Sequence, residues 1–440
     1  MATSPPRVRP EDDAVEILRD LIRIDSTNDG TDATVGEAAA AEYVESLLQD
    51  TGIDCERFAT TSGRRQGVYA RIAGRDSSKP PLLLHGHLDV VPAHAPDWRV
   101  PPFSAEIDGG MVWGRGAVDM KDTDAMILAL ARDWARTGQR PARDLVILML
   151  PDEEAGGRHG SHWIVEERPD MLEGVQEAVG EVGGFSLTVA QNRRLYLIQT
   201  AEKGIAWMRL FAEGTAGHGS MLSANNAVTE IAEAVSRLGR HRWPVRLSPT
   251  AERMVAAISE AYGLEIDLND VETLTEQLGP LARLIGAGTR HVSNPTMLGG
   301  GYKVNVIPGE ATAAVDGRFV PGAEDEFFAE VDRLLGPHVR REFESHDVAI
   351  EAPYDVPLVD AMTRALVAED PQAMVAPYIL SAGTDAKAFS QLGIRGYGFS
   401  PLQLPPDLDF AALFHGVDER VPIDSVQFGV RVLARFLDEG

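Results

Sequence analysis

The chain has 440 residues, with 67 Asp and Glu against 41 Lys and Arg, a formal net charge of -26 and a pI near 4.8. Such an acid excess, with no Lys/Arg-rich block, argues against nucleic acid and anionic membrane surfaces as partners, because both select a basic face. At 44% hydrophobic and 25% charged residues, the composition is that of a globular protein long enough for two domains.

Residues Met1 to Pro10 lack the apolar core of a secretory signal, so a cytoplasmic location is expected. Helical spacing of Val15, Leu18, Leu21 and Ile22 predicts a first helix over 11–24, and Tyr43, Val44, Leu47 and Leu48 a second over 37–48. Cys55 is the only cysteine, which forbids an intrachain disulfide and any cysteine metal site. Any metal must therefore be held by His and carboxylates.

Strand-length apolar runs follow at 67–72, 82–84 and 145–150, with a helix expected over 123–136. The longest such run is far short of the roughly 20 residues a membrane helix requires. Strands alternating with helices imply a mainly parallel sheet covered by helices, an α/β fold whose chemistry gathers at the carboxyl ends of the strands. From Glu202 the texture changes to strands at 205–211, 311–319 and 348–352, and helices at 226–238 and 324–335. The expected organisation is a catalytic domain made of 1–201 and 354–440, interrupted by an inserted α+β domain, 202–353. Within it, 244–294 is long, partly helical and hard to place.

The chemistry-bearing segments lie where strands end. After Leu84 comes His85-Gly86-His87-Leu88-Asp89, in which His87 and Asp89 point the same way along extended backbone, so that one can ligate and the other orient it. Gly114-Arg115-Gly116-Ala117-Val118-Asp119 begins like a dinucleotide-binding loop, but Asp119 stands at the third-glycine position and the βαβ context is missing. Pro151-Asp152-Glu153-Glu154 crowds three acids together, which requires cations or shifted pKa values. Two weaker segments are Glu181-Val182-Gly183-Gly184 and Phe414-His415-Gly416-Val417-Asp418-Glu419.

Together and in this order, these five segments resemble the M20 metallopeptidases, a family that includes carboxypeptidases, aminoacylases, acetylornithine deacetylase and succinyl-diaminopimelate desuccinylase. The resemblance implies a zinc-peptidase-like catalytic domain with an inserted lid and dimerisation domain. It implies two divalent ions, zinc first and cobalt or manganese as alternatives, bridged by Asp119, with His87 and Glu181 on one ion and Glu154 and His415 on the other. Glu153 would be the general base and Asp89 the orienting acid. Val182 stands between Glu181 and the Gly-Gly pair, where relatives often read Glu-Gly-Gly. Lid motifs match as well: His218 in Gly217-His218-Gly219-Ser220 would polarise the oxyanion, commonly across a dimer interface, Asn305 would bond the reacting carbonyl, and Arg318 would clamp a substrate carboxylate. Gly383 and Thr384 in Ala382-Gly383-Thr384-Asp385 would line the substrate pocket.

The function so implied is a homodimeric, binuclear metal-dependent hydrolase that cleaves an amide or peptide bond beside a free carboxylate, acting on small peptides or N-acyl amino acids. Alternatives are a biosynthetic desuccinylase or deacetylase, and a catalytically silent metal-dependent binding protein.

Overall fold

A computed structural model describes residues 8–31, 33–60, 63–190, 193–278 and 280–439. Its larger sheet has ten strands around a parallel centre, in which Leu82–His87 lies between Leu145–Leu150 and Glu177–Gly180, with Arg395–Gly398 beyond. Every residue of Leu82–His87 and Leu145–Leu150 is buried, as continuous apolar runs covered on both faces should be. Alternate side chains serve different cores. Leu82, Leu84, Ile147 and Met149 join the helices Pro10–Arg23, Lys121–Thr137 and Ile423–Glu439 on one face, and Leu83, Val146, Leu148 and Leu150 pack with Ile164, Leu172 and Phe389 on the other.

A second, four-stranded antiparallel sheet runs in the order Val292–Gly300, Glu310–Phe319, Gly204–Glu213, Val339–Asp347. Helices Ala227–Arg240 and Glu324–Leu335 cover one face, burying Ile231, Leu238, Phe327 and Val331 against Met208, Leu210 and Val315 in a separate core. The α/β class with an α+β lid follows directly from these two sheets.

Three placements differ from the sequence reading. The strand at the end of the lid is Val339–Asp347, whose charged residues hide it because one face is solvated at a sheet edge. The strand expected over 348–352 is reduced to Ile350–Glu351, which pairs with Arg193–Glu202 of the large sheet instead of joining the lid. The stretch 202–353 also divides between the two cores: helix Pro249–Tyr262 places Met254 and Ile258 in the large core beside the strand Met374–Leu380, and Leu281 and Ile285 of Pro280–Gly288 join them.

Candidate metal centre and substrate cavity

Three parallel strands deliver acids and an imidazole to one end of the sheet. His87 is the last residue of Leu82–His87, Glu181 follows Glu177–Gly180 directly, and Glu153 and Glu154 lie just past Leu145–Leu150. Asp119 and His415 arrive by another route. The strand Arg420–Pro422 pairs antiparallel with Met111–Trp113, and Gly114 N–H donates to the Glu419 carbonyl at 2.9 Å, so the loops on either side meet although they are distant in sequence.

The resulting distances are short. His87 Nε2 lies 3.1 Å from Asp119 Oδ1, 3.7 Å from Glu181 Oε2 and 3.9 Å from Glu153 Oε2. His415 Nε2 lies 3.3 Å from Asp119 Oδ2 and 2.9 Å from Glu154 Oε2. Donor atoms of His87, Asp119 and Glu154, and separately of His87, Glu153 and Glu181, all fall within 4.8 Å of one another. Glu177 is elsewhere, paired with Arg143 and Arg395.

Electrostatics reinforce the geometry. Burial alone would lower His87, but Asp119 and Glu181 outweigh it and hold the imidazole well above its ordinary value. Asp119 and Glu154 raise His415 to about 10. Burial raises Glu154 and Glu181 to about 7 each, and burial together with neighbouring Glu181 puts Glu153 well above the usual carboxylate range. Opposed shifts of this kind follow from acids and imidazoles crowded together out of water, a setting that favours a bound cation. Glu154 Oε1 is buried with no hydrogen-bond partner among the described residues. An all-nitrogen-and-oxygen donor set with an orphaned carboxylate oxygen fits divalent ions of the zinc, cobalt or manganese kind.

Asp89 acts differently from the expectation. His87 Nδ1 bonds the Asp89 backbone carbonyl at 2.9 Å, and the carboxylate is 3.6 Å away. That carboxylate instead accepts the backbone N–H groups of Glu153 and Glu154, each at 3.1 Å. Asp89 thus orients the ring through its main chain and the acidic loop through its side chain.

Beside the cluster opens a cavity of about 480 Å³. Away from the acids and His415 its walls are apolar or small, with Phe185, Tyr378, Leu380, Phe410 and Phe414 the largest. Phe410 stacks obliquely on Phe185 with centroids 5.2 Å apart and meets Phe414 edge-on. Gly383 lines this cavity. Thr384 does not, because its hydroxyl and backbone N–H both donate to buried Glu202, at 2.7 and 3.0 Å.

The profile of the peptidase family M20/M25/M40 matches residues 83–439. The chain belongs to that family. It is similar to the N-fatty-acyl-amino acid synthase/hydrolase PM20D1 of Xenopus tropicalis, 28% identical over 95% of this chain and 84% of that protein. Aminoacylase-1 of Homo sapiens is 26% identical over 97% of this chain and 95% of its own length. In fold it resembles the M20 family metallo-carboxypeptidase Sso-CP2 of Sulfolobus solfataricus, with a TM-score of 0.73 at 18% identity, covering 97% of this chain and 99% of that one. As an M20 protein the chain is an enzyme, a metal-dependent hydrolase of amide or peptide bonds.

Not every M20 motif converges on the cavity. His218 and Asn305 stand together on the lid, where Gly217–His218 pairs with Val306–Ile307 and Gly219 N–H donates to the Asn305 carbonyl at 2.9 Å. Both are exposed and neither lines the cavity of its own chain. Arg318 is bidentate to Asp316, at 2.7 and 3.1 Å, and lies close enough to Lys203 and Lys387 to help lower both ammonium groups, after burial. His159 and His162 fall outside both donor groups.

Sequence reasoning assigned no role to Glu419. It is fully buried, pairs with Arg115 at 2.7 Å and accepts the N–H groups of Gly116, Val118 and Asp119. The one signal was its place at the end of the His415 segment. Backbone conformation marks the site too: Asp152, Val182 and His415 have φ of 73°, 53° and 58°, uncommon for non-glycine residues and strained at β-branched Val182, which its surroundings must hold.

Proposed function

We propose that the enzyme hydrolyses N-acyl amino acids whose acyl group is apolar, releasing the free amino acid. The aromatic wall beside the acid and imidazole cluster carries this reading, since burying a hydrocarbon group there removes it from water at about 25 cal/mol per Å². Outside the cluster no acid among the described residues lines the cavity to pair with the α-ammonium of an unblocked dipeptide. That absence favours a blocked, uncharged acyl group over a free dipeptide. The names of the two curated relatives, a fatty-acyl-amino acid hydrolase and an aminoacylase, point the same way.

His87, Asp119 and Glu181 would hold one divalent ion, and Asp119, Glu154 and His415 a second. When bound, such ions supply Lewis-acid polarisation of the scissile carbonyl and a more acidic water. Glu153, at the cavity wall and outside both ligand sets, accepts the proton of the attacking water and returns it to the departing amide nitrogen. Burial and the neighbouring Glu181 make the Glu153 carboxylate more basic than a free one, which favours the proton-accepting step. Arg318, whose fork is steadied by Asp316, is the cation assigned to the substrate carboxylate.

The lid completes the site in a homodimer. Leu222 and Val304 are fully exposed close in sequence to His218 and Asn305, and Met221, Met297, Leu298 and Tyr302 are further exposed apolar side chains of the lid, a number that favours a covering partner. Covering it with a second copy would bring His218 and Asn305 to the partner's cavity.

The test is a substrate panel of N-acyl amino acids with short and long acyl groups, free dipeptides and N-succinyl amino acids. Each is assayed after chelation and after readdition of zinc, cobalt or manganese. Apolar N-acyl amino acids are expected to turn over, with activity lost on chelation and restored by metal. No chelator-sensitive hydrolysis of any N-acyl amino acid would refute the assignment.

A further inference from the structure

Against the acidic loop, and outside the cavity lining, a buried polar chain runs from Asp89 to residues that the hydrolytic mechanism does not use. Arg65, in the turn between Cys55–Ala59 and Gln66–Ile72, sends Nη1 to Glu37 Oε1 at 2.6 Å and Nη2 to Asn28 Oδ1 at 2.8 Å and Asp152 Oδ1 at 3.3 Å. Asn28 passes the connection on. Its Nδ2 donates to Asp89 Oδ2 at 2.8 Å and to Asp152 Oδ1 at 3.2 Å. All five side chains are nearly or wholly removed from solvent, and among the described residues no other Lys or Arg makes an ion pair with Glu37, Asp89 or Asp152.

Each end of this chain grips the catalytic loop. Asp89 accepts the backbone N–H groups of Glu153 and Glu154. Asp152, in left-handed backbone immediately before them, is pinned on one oxygen by Asn28 and Arg65 and on the other by His159 N–H at 2.8 Å. Those bonds fix the Asp152 carboxylate against the loop, and relaxation there would re-aim the two glutamates that follow. Three buried carboxylates served by one guanidinium, Glu37 and Asp152 directly and Asp89 through Asn28, form a costly arrangement, tolerated only when every member is bonded in the right geometry.

We propose that Arg65 and Asn28 are positioning residues that fix the placement of the Glu153–Glu154 pair, so that hydrolysis and metal affinity both depend on the planar fork of Arg65 and not on its charge alone. A lysine keeps the charge but presents a point donor that cannot reach Glu37 and the Asn28–Asp152 pair together. The kinetic part of this inference rests on the hydrolytic function proposed above. The metal-binding part does not, because it is read without substrate.

Arg65→Lys and Asn28→Ala are to be prepared as full-length protein and studied well below their unfolding temperatures. Asn28→Ala keeps the Arg65–Glu37 pair and decides the matter if Arg65→Lys does not fold. Zinc titration of the chelated protein should show affinity weakened roughly 10- to 100-fold for at least one ion, the range found when groups that orient ligands are removed. At saturating zinc, kcat should fall by a similar factor, with KM within about twofold because neither residue lines the cavity. Variants that lose thermal stability while zinc affinity, kcat and KM stay within about twofold of the parent would overturn the proposal. A parent enzyme inactive on every substrate would instead refute the hydrolytic assignment, and the zinc titration would still report on the positioning role.

Discussion

Asp119 stands between two imidazoles, with Oδ1 3.1 Å from His87 Nε2 and Oδ2 3.3 Å from His415 Nε2. A carboxylate that offers one oxygen to each of two imidazoles would be able to hold a cation on each side, and it favours the protonated form of both rings.

The first prediction follows from that protonation. In the chelated protein His415 is raised from 6.5 to about 10, so its contribution to stability is complete below about pH 6.5 and is lost as pH rises toward 10. Glu154 and Glu181, raised from 4.5 to about 7, likewise favour the folded state less as pH rises through that interval. The chelated protein should therefore lose Tm with rising pH. Divalent ions compete with those protons, so the gain in Tm on adding zinc should grow between about pH 6 and pH 8. Differential scanning fluorimetry across that range checks it, and a gain independent of pH would contradict the arrangement.

Glu153→Gln keeps the shape of the side chain and removes its basicity. Metal content should stay at the parent value, while kcat falls by roughly 10²- to 10⁴-fold, as for loss of a general base. Elemental analysis and kinetics on the same preparation decide the point. Loss of metal in parallel with activity would make Glu153 a ligand instead.

Glu419 is the hinge between the Asp119 and His415 loops. In Glu419→Ala, Arg115 would be buried without its partner and three backbone N–H groups would lose their acceptor. Loss of one member of such a pair costs about 3–5 kcal/mol. Urea unfolding should show that loss, with a smaller one in Glu419→Gln, whose amide oxygen still accepts. Metal content should drop in the alanine variant because Asp119 is no longer held.

Phe410, with Phe185 and Ala411, belongs to the walls of both the catalytic cavity and a second one lined by Tyr262, Leu278, Leu281 and Leu404. Phe410→Ala should join them and move the preference toward longer acyl groups. Each further buried methylene is worth about 0.8 kcal/mol, or roughly fourfold in kcat/KM. Comparing kcat/KM over a series of N-acyl chain lengths tests this, and an unchanged optimum would place the acyl group elsewhere.

His218 lies outside its own chain's cavity, so the dimer proposal has a direct test. His218→Ala and Glu153→Gln should each be nearly inactive alone, and mixed dimers should regain activity because one of the two sites is then intact. Absence of recovery in verified hybrids would mean that His218 does not act across the interface.

Much of the site could be read from residue order. His87, Asp119, Glu153, Glu154, Glu181 and His415 stand in short local segments whose chemistry is local, and the α/β architecture follows from apolar runs that only a doubly covered sheet can bury. A single cysteine confines the donor set to imidazole and carboxylate. What lay beyond reach depended on contacts between distant segments. Arg65 and Asn28 look like surface polar residues until the strand turn and the first loop close over Asp152. The lid strand Val339–Asp347 is concealed by its solvated charges, and helix Pro249–Tyr262 joins the large core although its neighbours in sequence belong to the lid. Phe185, Phe410 and Phe414 become one apolar wall only when the loop before His415 folds against the segment after Glu181. The sequence by itself determined which groups can do chemistry, because ligand and base identity reside in single side chains. Tertiary structure alone decided what surrounds them, because burial, charge compensation and cavity shape are properties of packing between segments far apart in the chain.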